Sequence, residues 1–161
     1  MRPADKMIFS FRQWTKCGIR IRMLETFEII ADAVADASRI RILKLLQDGE
    51  LCVCQITTVL NLAPATVSKH LAILKAAGLV QMRREGKWVH YRLAERAFNP
   101  YAPRFLAMLG DILADDPTVA EDRRVLAMVR AVPVAAICGL GRQAVPALEV
   151  SSETACCGGR P

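Results

Sequence analysis

At 161 residues the chain is long enough for one domain with a real core and short for two, and its 53% hydrophobic content excludes a wholly disordered polymer. No uncharged apolar run approaches the roughly 20 residues of a membrane-crossing helix, and the first 22 residues lack a secretory signal pattern. The expected compartment is therefore the cytoplasm, with no membrane partner. The net charge of +6 is unevenly placed: residues 60–92 hold Lys69, Lys75, Arg83, Arg84, Lys87 and Arg92 against Glu85 alone. A basic middle segment points to a polyanionic partner, nucleic acid before membrane, or to a solvated basic face.

Residues 1–22, with six Lys/Arg against Asp5, read as a basic N-terminal arm, or as the product of a start codon upstream of Met23. Apolar positions at Leu24, Phe27, Ile30, Ala31 and Val34 have amphipathic-helix spacing over 24–35. Asp36 is a good N-cap for a second helix over 37–47, which carries Ile40, Leu43 and Leu46 on one face and ends at Asp48-Gly49. A third helix is predicted from about Cys52 to Leu60. Asn61-Leu62-Ala63 is a short turn, and Pro64 suits the first position of a fourth helix reaching about Ala76, with Gly78 as its stop. The period then changes: Leu79–Arg83 and Trp88–Leu93 read as two strands of a hairpin turning at Arg84-Glu85-Gly86-Lys87. Two further helices are expected at about 100–115 and 118–131, broken at Asp116-Pro117. Residues 132–161, rich in Pro and Gly, read as a loosely ordered tail.

The expected fold is thus mainly α with a small β-hairpin, a winged helix-turn-helix. The expected domains are the arm (1–22), the DNA-binding unit (23–98), C-terminal helices for dimerisation (99–131) and a cysteine-containing tail (132–161). The fourth helix is the expected recognition helix, because a helix can enter the major groove and present side chains to base edges. Its apolar residues face the core, leaving Thr66, Ser68, Lys69 and His70 as candidate DNA contacts; His70 also reads as a buried structural histidine. In the hairpin, Arg83, Arg84 and Lys87 are candidates for phosphate neutralisation, which supplies affinity rather than specificity. Tyr91 joins this set or the core, and Trp88 reads as core.

Six cysteines, Cys17, Cys52, Cys54, Cys138, Cys156 and Cys157, are many for a chain of this size. Without a secretory signal they point to metal or metalloid binding or redox sensing rather than a disulfide scaffold. Cys52 and Cys54, at i and i+2, would point about 200° apart on a regular helix at roughly 100° per residue. Joint ligation would therefore require the helix start to distort, which suits a switch. Soft thiolates favour arsenite, antimonite, cadmium or lead. No cysteine is paired with a base in a catalytic motif, so an enzyme is not expected.

The segments Asp36–Leu43, Glu50–Cys54, Thr66–Leu71, Leu74–Val80 and Gly86–Leu93 together resemble the ArsR/SmtB family of metal-responsive repressors. That resemblance implies a homodimer, joined through its first and last helices, that binds an inverted-repeat operator in double-stranded DNA and leaves it when inducer binds. It points to the arsenic-responsive branch, with arsenite or antimonite as inducer. The alternatives are a cadmium, lead or zinc sensor that recruits Cys17, and a thiol-redox sensor. Two departures from the family pattern stand out: Thr57 occupies the position of a third cysteine, and Gln55 that of an Asp. A third thiolate must come from Cys17, Cys138 or the Cys156-Cys157 pair.

Overall fold

The computed structural model describes residues 23–95 and 98–149. Helix α1 (Met23–Val34) leads into α2 (Ala37–Leu46), and the Asp36 carboxylate accepts from the Arg39 N–H at 3.0 Å as the N-cap of α2. The two-residue strand β1 (Leu51–Cys52) precedes α3 (Val53–Leu60). Asn61 ends α3 in the left-handed region, at φ 54°, and Pro64 opens α4 (Pro64–Ala76). Gly78, at φ 77°, turns the chain out of α4 into β2 (Val80–Glu85). A two-residue turn with Gly86 at φ 57° returns it along β3 (Trp88–Leu93). Ile42, Leu43, Ile56, Val67, Leu71, Leu74 and Leu79 are fully buried and form the core between α2, α3, α4 and the sheet.

The sequence-based elements through Leu93 are present, with one local difference that matters. The sheet has three strands in the order β1-β3-β2, all antiparallel, with Leu51 opposite Tyr91 and Cys52 opposite His90. The helix expected from Cys52 therefore begins one residue later, and Cys52 is extended (φ −71°, ψ 147°). An edge pairing with β3 satisfies backbone groups that a helix start would leave open.

Beyond the sheet lie α5 (Ala102–Asp111) and α6 (Pro117–Arg130), the latter capped by Asp116, which accepts from the Thr118 and Val119 N–H groups. The expected loose tail over 132–161 is corrected: through Glu149 it folds into α7 (Val134–Leu140), a 3-10 turn (Gly141–Ala144) and a short α8 (Pro146–Glu149). Its Pro and Gly residues punctuate short helices instead of abolishing them, and Ile137, Val145 and Leu148 are buried. The arm at 1–22 and the end of the tail lie outside the described residues.

The C-terminal helices are fastened to the first half at named points. Arg41 on α2 makes a two-pronged ion pair with the buried Asp122 on α6, Nε to Oδ2 at 2.7 Å and the terminal amine to Oδ1 at 2.6 Å. Arg130 donates to the Asp48 carbonyl, and Arg142 to the Thr58 carbonyl at 3.1 Å. The buried Lys44 ammonium closes the end of α5, donating to the Leu109 and Ile112 carbonyls at 2.9 Å each. Helix α6 buries Val119, Val125, Leu126 and Val129 within the chain, against α3 and α2. The apolar side chains left exposed on the first and fifth helices and their borders include Leu24, Phe27, Met108 and Ile112. Phe27 stacks edge-on against Tyr101 at 5.7 Å, and Asn99 donates to the Thr26 carbonyl, so α1 and the start of α5 share one surface. No single helix among the described residues is long and apolar enough to cross a membrane.

Candidate metal centre and nucleic-acid interface

Three sulfurs converge where β1 meets α3. The Sγ atoms of Cys52, Cys54 and Cys138 lie within 4.8 Å of one another. Cys52 Sγ is 3.8 Å from Cys138 Sγ, and Cys54 and Cys138 are joined as a disulfide with Cα atoms 5.1 Å apart. Three sulfurs on one ion at about 2.3 Å from it stand no more than about 4.0 Å apart. Once the disulfide is reduced, the cluster holds one soft ion after its sulfurs shift by about 1 Å.

The local chain explains why the pair converges. Cys52 lies in the strand and Cys54 in the first turn of α3, so the opposed directions of an i, i+2 pair on one helix do not arise. The expected helix distortion is therefore unnecessary: the strand-to-helix junction already brings both sulfurs together. Gln55 holds that junction, its side-chain oxygen accepting the Cys52 N–H at 2.9 Å from a buried position. Thr57 contributes no sulfur, and the third comes from α7, which Ile137 anchors against α3. Of the expected third ligands, Cys138 is at the cluster, while Cys17, Cys156 and Cys157 lie outside the described residues.

The helix-turn-helix consists of α3, the turn at Asn61–Ala63 and α4. Thr66, Ser68 and Lys69 are exposed on the first turns of α4. His70 is only 14% exposed and turned toward Asp36, its Nδ1 3.8 Å from Oδ1. The Arg39 backbone N–H, with Arg39 and His70 charge behind it, holds the Asp36 carboxyl below the ordinary carboxylate value. At the wing, Arg83 is exposed and paired with Glu50 and Glu85, while Arg84 donates to the Gly86 carbonyl. Lys87 is exposed at the tip.

Tyr91 is a correction. It sits on the inward face of β3, is 9% exposed and points its hydroxyl at the Met82 sulfur, and burial pushes its phenol pKa up. It is a core residue and not an outward DNA contact. His90, opposite Cys52, places Nδ1 3.6 Å from Glu50. A cleft of about 520 Å³ opens beside the sulfurs, bounded by α7, the wing and Ser68 of α4.

The sequence model described as bacterial regulatory protein, arsR family, matches residues 36–82. The arsenical resistance operon repressor of Escherichia coli is 38% identical over 108 residues, covering 66% of this chain and 81% of that protein. The chain belongs to the ArsR family. An arsenic resistance transcriptional regulator of Pseudomonas putida is 39% identical over 98 residues, 60% of this chain and 73% of its own length. Among solved structures, a fragment of a possible transcriptional regulatory protein from Mycobacterium bovis superposes with a TM-score of 0.50 at 33% identity, covering 60% of this chain and 99% of that one. This ArsR-family chain is a transcriptional repressor with a winged helix-turn-helix DNA-binding domain, and not an enzyme. The signal for Cys138 is weak in sequence, since nothing local marks a cysteine 84 residues from its partner.

Proposed function

We propose that this chain is an arsenite- or antimonite-responsive repressor that grips operator DNA as a homodimer and releases it when Cys52, Cys54 and Cys138 capture the metalloid. The observation that carries this reading is the convergence of those three sulfurs within 4.8 Å. Three soft donors suit a thiophilic trivalent centre, and the arsenical repressor of Escherichia coli is a relative over most of its length. Capture is a balanced exchange: arsenous acid and three thiols give one tris-thiolate and three waters. The exposed α1 and α5 surface, with Phe27 and Met108, forms the dimer contact; α6, whose apolar face is spent inside the chain, does not. Thr66, Ser68 and Lys69 approach base edges and phosphates, while Arg83, Arg84 and Lys87 neutralise phosphates.

The sulfurs link three elements. Cys52 belongs to the strand paired with the wing, Cys54 to the helix packed on α4, and Cys138 to α7. Pinning them together biases wing and recognition helix as a unit. Moving a population from 1:99 to 99:1 requires about 5.5 kcal/mol of differential affinity, and structural thiolate sites reach apparent energies on the order of 10 kcal/mol.

The test is arsenite titration of the reduced protein on labelled DNA from upstream of its own coding sequence. Wild type leaves the DNA. Cys138→Ser and the Cys52→Ser/Cys54→Ser variant bind the DNA but stay on it at that dose. Release of the double variant at the wild-type dose overturns the reading. The Cys54–Cys138 disulfide favours a second reading, a thiol-redox sensor. Two thiols and one peroxide give a disulfide and two waters, and this version predicts release by peroxide without metalloid, reversed by a phosphine.

A further inference from the structure

Helix α4 packs against α1, α2, α3 and β2, and one of its side chains faces a neighbour without bonding to it. His70 is 14% exposed, and its buried Nδ1 has no hydrogen-bond partner. A buried polar atom left open is costly, and most such atoms in folded proteins are paired. Here the atom faces the Asp36 Oδ1 at 3.8 Å, about 1 Å beyond the length of a charge-assisted hydrogen bond.

Asp36 is in turn tied to α1. Its Oδ1 accepts the Arg39 N–H at 3.0 Å, and its Oδ2 is 3.9 Å from the Arg39 guanidinium. That guanidinium donates to the Ala33 carbonyl at 2.6 Å and the Asp32 carbonyl at 2.9 Å, in the last turn of α1. A closed His70–Asp36 contact therefore joins α4 to α1 through one chain of polar groups. The other charges on the elements packed against α4 are turned outward or engaged elsewhere. Arg41 pairs with Asp122, Lys44 closes the end of α5, Arg83 pairs with Glu50 and Glu85, and Arg84 donates to the Gly86 carbonyl. Glu25, Glu28 and Asp32 of α1 are exposed, as are Lys69 and Lys75 of α4 itself, and α3 carries no charged side chain.

We propose that His70 is a positioning residue for operator binding: its protonation closes the contact with Asp36, fixes α4 relative to α1 and tightens the grip on DNA. The inference rests on the homodimeric DNA binding proposed above, in which α1 is part of the subunit contact. Two recognition helices on one duplex must keep a fixed separation and tilt, and holding them in place beforehand lowers the cost of binding. An ordinary imidazole titrates at about pH 6.5, so affinity rises as pH falls from about 7.5 to about 5.5. The Asp36 carboxyl, held below the ordinary carboxylate value chiefly by the Arg39 N–H, stays anionic across that range.

The experiment titrates the reduced full chain, without metalloid, onto labelled DNA from upstream of its own coding sequence, by fluorescence anisotropy at constant ionic strength across that pH range. Wild type is compared with His70→Gln, with Asp36→Asn, which keeps the cap, and with the double variant. His70→Asn serves as a second neutral replacement, and circular dichroism at each pH shows that the compared variants are folded. Wild-type affinity is expected to rise about fivefold toward the acid end, a little over twofold from each imidazole of the homodimer. Each single variant and the double variant lose that rise. A rise that survives in His70→Gln and His70→Asn belongs to other groups and overturns the proposal. A rise lost in those variants but kept in Asp36→Asn makes His70 a direct phosphate contact and overturns it as well. Equal wild-type affinity at both ends of the range overturns the proposal and leaves DNA binding standing. If wild type binds at no pH, the DNA reading and this inference fall together.

Discussion

Cutting the Arg41–Asp122 pair tests whether the C-terminal helices are an integral part of the fold. The Asp122 side chain is 7% exposed and that of Arg41 26%, so the pair lies between the surface and fully buried cases. Exposed pairs contribute about 0–1 kcal/mol, whereas breaking a buried pair by removing one partner costs about 3–5 kcal/mol because a charge is stranded. With both prongs made and one partner buried, Asp122→Ala should cost about 2–3 kcal/mol. For a chain of this size that lowers Tm by roughly 5–10 °C. Replacing both residues by apolar ones of similar volume, Arg41→Met with Asp122→Leu, should recover most of the loss, since no charge is left unpaired. Thermal unfolding followed by circular dichroism, run as a double-mutant cycle, reads this directly. A loss below about 0.5 kcal/mol for Asp122→Ala, or a double variant less stable than either single one, would refute the reasoning.

Three further outcomes follow from the same geometry. Ile137→Ala removes the buried anchor of α7 and should cost about 2–4 kcal/mol; with α7 loosened, the chain should also bind arsenite more weakly, measured by Trp88 fluorescence. Asp36 has a folded-state pKa below its unfolded value, so its contribution is fully present above the ordinary carboxylate range and is lost as pH falls through the lowered value. Asp36→Asn keeps the cap but abolishes this titration, so a profile of Tm against pH from about 5 down to about 2 should fall less steeply than wild type. Alanine at both Arg84 and Lys87 should reduce the slope of log affinity against log salt by about 3.6 for the homodimer, or 0.9 for each of the four phosphates no longer neutralised, in a fluorescence-anisotropy titration.

The helices and the hairpin were legible because each carries its own local signal: Asp36 as a cap, Pro64 as a first residue, Gly78 as a stop and the period change at Leu79. The cysteine pair was legible as a soft-ion site, but its geometry was not. Helical periodicity treats Cys52 and Cys54 as two points on one cylinder, whereas β1 exists only because Leu51 and Cys52 find Tyr91 and His90 some 40 positions away. A two-residue strand is set by its partner, and no local pattern announces it. The folded segment after residue 132 was hidden for a related reason. Helices α7 and α8 are short and punctuated by Pro and Gly, so their order comes from burying Ile137, Val145 and Leu148 and from the Arg142 hydrogen bond to Thr58. The inward position of Tyr91 was hidden because strand alternation gives two faces without saying which one the core occupies.

Arsenic K-edge X-ray absorption of the reduced, arsenite-loaded protein tests the sulfur cluster most directly. Three sulfurs around arsenic in the wild type, falling to two sulfurs and one oxygen in Cys138→Ser, is the predicted result. An unchanged three-sulfur shell in Cys138→Ser would contradict it, because the third ligand would then come from elsewhere in the chain.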